Sequence, residues 1–174
     1  MYQLIKVSKE YKKQIIEFKT EMLLKEKMIH GSSAIHAEKS FEKWLNKVEK
    51  TKNRDNISPN SNLVESSQWA LVDKKLNVLG MVNIRHELNN GLLYEDGHIG
   101  YSIRPSFRGK GLGKLQLKLA LKIMKSMGQY RVLLTCNDNN IASAKVIEAC
   151  GGKIENKVRS KTSNAIVRRY WIEI

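Results

Sequence analysis

Apolar and polar positions alternate from Tyr2 to Val7, the two-residue period of a strand. Beyond Ser8 the period changes. Ile15, Ile16, Phe18, Met22 and Leu23 recur at helical spacing, which predicts a helix from about Lys9 to Met28 with Ser8 as its N-cap. An irregular stretch follows, His30-Gly31-Ser32-Ser33. A second helical pattern runs from about His36 to Lys50, with Phe41, Trp44, Leu45 and Val48 on one face. Neither segment sustains heptads, so both predict core packing and not a coiled coil. Thr51 to Ser67 is polar, contains Pro59 and has almost no apolar residues. It predicts a mobile surface loop, with a loop flanking a substrate entrance as the functional alternative.

The rest of the chain is more regular. Strands are predicted at Gln68–Asp73 and Val78–Arg85, joined by the turn Lys74-Lys75-Leu76-Asn77, and again at Glu95–Arg104 after a turn near Asn89-Asn90-Gly91. A helix from Gly113 to Met127 ends at Gly128. The apolar run Arg131–Cys136 reads as a buried strand. Asn137-Asp138-Asn139-Asn140 caps a helix from Ile141 to Cys150, which Gly151-Gly152 stops. Lys153–Val158 and Ala165–Ile174 form a terminal antiparallel pair. The order predicts one α/β domain over residues 1–174, a mixed sheet covered by helices.

One stretch carries chemistry, Arg108-Gly109-Lys110-Gly111-Leu112-Gly113-Lys114. It joins a strand ending at Pro105 to a helix. The turn has no Ser, Thr, Asp or Asn to cap that helix, and Lys110, Lys114 and Lys118 stand where the helix dipole prefers acids. Such a helix start suits an external anion, most simply a phosphate. The glycine spacing narrows the choice. In a Walker A loop counted from Gly109, and equally in a Rossmann Gly-x-Gly-x-x-Gly, a required glycine falls on Lys114. What remains is Arg-x-x-Gly-x-Gly at Arg108, Gly111 and Gly113.

That pattern resembles motif A of the GNAT superfamily of N-acetyltransferases. Asn140-Ile141-Ala142-Ser143 through Gly151-Gly152 resembles motif B, and the order of elements along nearly the whole chain matches the family. Four segments (His30-Gly31, Asn83 to Leu88, Gly97 to Tyr101, Arg168 to Trp171) resemble a branch of predicted acetyltransferases that brings no substrate with it. The resemblance implies a mostly antiparallel central sheet of about seven strands, flanked by about four helices. Its two central strands, ending near Arg104 and Cys136, are expected to splay apart to admit acetyl-CoA. Backbone groups of Tyr101 and Ile103 are then expected to hold the pantetheine arm. Amides of Arg108, Gly109, Lys110, Gly111, Leu112, Gly113 and Lys114 are expected to hold the pyrophosphate, with Asn140 and Ser143 on the pantetheine. Many relatives carry a tyrosine seven positions past the motif B asparagine as proton donor to the leaving thiolate. Here that position is Ile147, which leaves Tyr101 as a substitute if its ring enters the cleft.

Acceptance of a proton from the amine calls for a base. His98 ranks first, on the strand that presents the thioester, with Asp96 on the same face by strand alternation. Glu87 and His86, at the end of the neighbouring strand, follow.

The charge is +14, from 31 Lys and Arg against 17 Asp and Glu. It attracts anions of any kind, so it also fits a basic nucleic-acid-binding protein. No helix-turn-helix, zinc pattern or aromatic-rich strand motif supports that alternative. Ile147 keeps a catalytically weak acyl-CoA-binding domain in view as a second alternative. Hydrophobic residues make up 41% of the chain, which suits a folded core. No signal peptide or membrane span is apparent, and two cysteines in no metal-binding pattern suit a reducing, cytoplasmic setting. The expected partners are acetyl-CoA and a small-molecule or peptide amine, without a metal. In the family a C-terminal strand pair often joins subunits, which leaves a homodimer open.

Overall fold

The computed structural model describes residues 1–174. In chain order its elements are β1 (Gln3–Lys6), α1 (Lys12–Leu23), α2 (Phe41–Thr51), β2 (Ser66–Val72), β3 (Val78–Arg85), β4 (Ile99–Ile103), α3 (Leu112–Ser126), β5 (Arg131–Asn137), α4 (Ile141–Glu148), β6 (Lys153–Arg159) and β7 (Ile166–Glu173). The strands make two antiparallel sheets, β1-β2-β3-β4 and β5-β7-β6. Strand and helix numbers agree with the sequence pattern. The sheet is not continuous, however: β4 and β5 are edge strands of separate sheets with no ladder between them.

Backbone hydrogen bonding links the two sheets at one place. His98 N donates to the Leu133 carbonyl (2.8 Å), and Leu133 N donates to Nδ1 of the His98 ring (2.9 Å). Gly97 makes this approach possible. Its φ is +69°, and a Cβ there would press on the Leu133 carbonyl.

Apolar periodicity accounts for the layers. β3 is buried on both faces, so successive residues serve different cores. Met81 joins Ile15, Phe18 and Met22 of α1 and Trp44 of α2. Val82 joins Leu117 and Met124 of α3, Ile147 of α4, and Leu134 and Tyr170 of the second sheet. No helix is long and apolar enough to cross a membrane.

Several boundaries differ from the sequence reading. α1 stops at Leu23 because its apolar stripe is exhausted; Leu24 and Met28 are exposed. Ser8 precedes only a 3₁₀ turn, Lys9–Tyr11, and makes no side-chain cap. The second helix starts at Phe41, not His36, because Ser40 caps it by accepting from Lys43 N (3.2 Å). The predicted strand Glu95–Arg104 shrinks to β4, since Leu92–Asp96 forms one π-helical turn closed by Gly97. The polar segment from Thr51 to Ser67 is anchored by two buried apolar side chains, Ile57 and Val64. Asn89 Nδ2 ties it further by donating to the Asn62 carbonyl (2.8 Å).

Candidate active site

The free edge of β4 faces the gap between the sheets. Arg85 N donates to the His98 carbonyl and Arg104 N to the Leu79 carbonyl, both at 2.8 Å, which sets the alternation of the β3–β4 ladder. Gly100 and Ser102 therefore turn their backbone groups toward β3. Tyr101 and Ile103 turn theirs toward the gap. The Ile103 carbonyl is occupied by Arg108 Nε (2.9 Å), which leaves its N–H for a ligand.

Below that edge lies the glycine turn. No backbone or side-chain acceptor takes any N–H from Gly109 to Lys114, and no side chain caps α3. Six consecutive free amides at a helix start are a candidate anion cradle. Gly109 and Gly111 both have φ of +75° with nothing within 4 Å of a Cβ position, so ligand oxygens can approach the backbone. Gly113 faces Val146 of α4, where a Cβ would lie 3.3 Å from Cγ2.

The side chains divide into ligand-facing and structural. Arg108 does not reach into the cradle. Its Nη2 pairs with Glu26 Oε1 (2.5 Å), and its own N–H donates to the Pro105 carbonyl (3.2 Å). It clamps the chain beyond α1 onto the turn, while Arg104 pairs with Glu21 of α1 itself (2.5 Å). Lys110 folds back over Phe107 and donates to the Ser106 carbonyl (3.2 Å). Lys114 lines the cleft, a cavity of about 470 Å³ between the β4 edge, the cradle and the start of α4. Of the residues expected to hold acetyl-CoA, all but Lys110 line it.

Asn140 and Ser143 enter from α4. Asn140 Oδ1 caps that helix by accepting from Ser143 N (3.0 Å), which leaves its Nδ2 group for a ligand. Ile147 is fully buried in the core. Tyr101 instead crosses from β4 to α4, where its Oη and Ser143 Oγ share a hydrogen bond of 3.0 Å. Burial pushes this phenol up to about 12, against the opposing hydrogen bond from Ser143. It is therefore protonated at neutral pH.

A smaller chamber of about 180 Å³ opens beside the first, between β4, β5 and the π-helical turn. His30, Tyr101, Asn140 and Ser143 line both. His30 sits on a strap that the sequence shows only as an irregular linker. Gly31, with φ of +66°, lies on Gly100 and Tyr101 so tightly that a Cβ would overlap their backbone. Ser102 Oγ donates to the His30 carbonyl and Gln68 Nε2 to the Gly31 carbonyl, each at 2.7 Å. Ser33 Oγ donates to Gln68 Oε1 (2.7 Å) and Trp44 Nε1 to the Ser32 carbonyl (2.7 Å). Gln68 and Asn83, buried polar residues in β2 and β3, are the sequence signal for this strap.

The three bases expected from the sequence, His98, His86 and Glu87, converge on neither cavity. His98 is 5% exposed and built into the seam with Leu133. Burial lowers its pKa to about 4, with the Arg85 charge acting in the same sense. To accept a proton, its Nδ1 would have to release the Leu133 N–H. The strand alternation that put Asp96 beside His98 does not exist, because Asp96 ends the π-helical turn. His86 faces Glu65 Oε1 (3.1 Å) and Ser67 Oγ (3.2 Å). Glu87 is exposed, 3.5 Å from Arg54.

A family model described as an acetyltransferase (GNAT) domain matches residues 21–153. No curated protein matches the chain. Among solved structures, spermidine N-acetyltransferase from Vibrio cholerae, in complex with CoA and spermine, superposes with a TM-score of 0.66 at 17% identity, covering 99% of this chain and 95% of that one. The acetyltransferase of Salmonella typhimurium that modifies the N-terminal serine of ribosomal protein L7/L12 gives 0.72 at 13%, covering 99% and 95%. Ribosomal-protein-S5-alanine acetyltransferase from Vibrio fischeri gives 0.69 at 17%, covering 99% and 92%. At these identities the likeness is one of fold.

Proposed function

The chain belongs to the GNAT acetyltransferase family, and from that premise we propose that it transfers an acetyl group from acetyl-CoA to a primary amine by direct attack in a ternary complex. The observation that carries the reading is the pairing of six free amides, Gly109 to Lys114, with the unpaired Tyr101–Ile103 edge of β4 along one cleft. A diphosphate joined to an amide-bearing arm suits both: anionic oxygens for the cradle, peptide-like groups for the strand edge. Acetyl-CoA supplies the activated acetyl thioester.

The chain's own residues supply position and proton handling. The Ile103 N–H, facing the gap, is placed to polarise the acetyl carbonyl. We assign the base to His30 in preference to His98, because His30 lies where the two cavities meet. An imidazole there takes the ammonium proton so that the nitrogen lone pair can attack; the C–N bond forms and the C–S bond breaks. Tyr101 is suited to a hydrogen bond to the departing sulfur. Full proton transfer from a phenol near 12 to a thiolate of ordinary pKa about 8.5 runs uphill, so the thiolate takes its proton from solvent or from His30.

The neighbours' acceptors, spermine, an alanine and an N-terminal serine of ribosomal proteins, differ too much to transfer one to this chain. The test is an acetyl-CoA-dependent thiol-release screen across amines, amino acids, peptides and polyamines. Release that depends on both acetyl-CoA and an amine supports the reading. Acetyl-CoA binding without release on any amine favours a binding domain that Ile147 has disabled. Salt-sensitive DNA binding without a heat shift on acetyl-CoA favours a nucleic-acid-binding protein.

A further inference from the structure

Three charged residues line the smaller chamber, and its one cation pairs with neither carboxylate; Glu95, from the π-helical turn, accepts from Lys161 N (3.1 Å). Arg85 lines it from β3 and Asp96 from the π-helical turn. No Arg85 nitrogen lies within 4.0 Å of any carboxylate oxygen, and the Asp96 carboxylate has no cationic partner and accepts no hydrogen bond. Every other arginine except the exposed Arg159 has a carboxylate within that distance. Arg85 is held in place all the same. Its Nη1 donates to the backbone carbonyls of Asp96 (3.3 Å) and Gly97 (2.9 Å), which leaves Nε and Nη2 without a protein acceptor. Nη2 lies 3.9 Å from where a Gly100 side chain would begin, so the missing side chain opens the chamber toward it.

A half-buried guanidinium fixed by one nitrogen, with its remaining donors free, is a ready partner for a carboxylate. Asp96, an exposed residue that lines the same chamber, is a ready partner for an ammonium. We infer that the acceptor is a small zwitterion of the α-amino-acid class, its carboxylate on Arg85 and its ammonium toward Asp96 and His30. This rests on the acetyltransferase reading and narrows it. A chamber of about 180 Å³ suits a free amino acid or close analogue better than a polyamine chain, which has no anionic group to offer Arg85.

The experiment compares free amino acids with their own carboxamides in the acetyl-CoA-dependent thiol-release assay. Each pair has the same side chain and amine and differs only at the carboxylate. The carboxamide amine is the less basic and is unprotonated more of the time, so chemistry alone favours it. The expected result is the reverse: for the best pair, kcat/KM is at least about tenfold higher for the acid. Arg85→Gln is expected to remove that preference by lowering the acid alone, with acetyl-CoA affinity by calorimetry unchanged. The inference is overturned if wild-type protein uses the carboxamide as well as the acid, if acetylation is confined to polyamines or peptides, or if Arg85→Gln lowers both members alike. The pair comparison on wild-type protein stands even if the variant does not fold. Absence of acetyl-CoA binding would instead overturn the reading beneath it, and the calorimetry reports that separately.

Discussion

His98 and Leu133 exchange two hydrogen bonds, backbone N–H to carbonyl at 2.8 Å and backbone N–H to ring Nδ1 at 2.9 Å, and these bonds join the two sheets. The imidazole must be neutral to accept. Its folded pKa of about 4 lies below the ordinary 6.5, so between those values the unfolded chain binds the proton that the native state refuses. Stability from this group is complete above pH 6.5 and declines as pH falls toward 4, by on the order of 2–3 kcal/mol. Urea melts from pH 7 to pH 4 are expected to show that slope in wild-type protein and a shallower one in His98→Gln. His36, also lowered chiefly by burial, contributes a slope of the same sign in both. Parallel slopes would refute the assignment.

Tyr101→Phe removes the hydroxyl that bridges to Ser143 and leaves the ring. A hydrogen-bond donor to the departing sulfur, not an obligatory acid, predicts a fall in kcat of about tenfold, short of the larger losses typical of a general acid. Acetyl-CoA affinity should hold, because the backbone edge of β4 is unaltered. A loss beyond a thousandfold would restore Tyr101 as the acid.

His30→Gln keeps a polar side chain on the strap and removes the base. We expect kcat/KM to fall by about a hundredfold while acetyl-CoA affinity holds. An unchanged kcat/KM would move the base elsewhere in the chamber. Gly31→Ala is the companion: its Cβ has no room against Gly100 and Tyr101, so it should displace the strap and lower both activity and melting temperature.

Gln116 of α3 lies fully buried against Gly80 of β3, and neither of its amide atoms has a hydrogen-bond partner. Gln116→Met retains the shape and removes the unmatched dipole, so it should stabilise the fold by about 1–2 kcal/mol in a urea melt. Destabilisation would mean that an ordered water satisfies the amide.

The frame is legible in the sequence because periodicity is local. β3 reads as the strand returning from the Lys74–Asn77 turn, and α3 from its apolar stripe. The cradle is legible for a related reason: missing caps and misplaced lysines are visible in the residues themselves. The bases are not. Ranking His98 first assumes an unbroken strand from Glu95, whereas Gly97 at positive φ ends a π-helical turn and draws His98 into the seam. The strap escapes because its meaning is nonlocal. His30 and Gly31 are placed by Ser102 and Gln68, 72 and 37 residues away in sequence, and no window along the chain contains both partners.

The central claim is that Gly109 to Lys114 and the β4 edge together bind acetyl-CoA. Isothermal titration of acetyl-CoA into wild-type protein and Gly111→Glu tests it most directly. At φ of +75° and with open space around it, a glutamate at position 111 costs about 1–2 kcal/mol of backbone strain, so the variant should still fold, which circular dichroism can verify. Its carboxylate would stand among the amides that receive the pyrophosphate. The account predicts saturable one-to-one binding by wild-type protein, weakened at least about a hundredfold in the variant. No binding by wild-type protein, or equal binding by both, would contradict it.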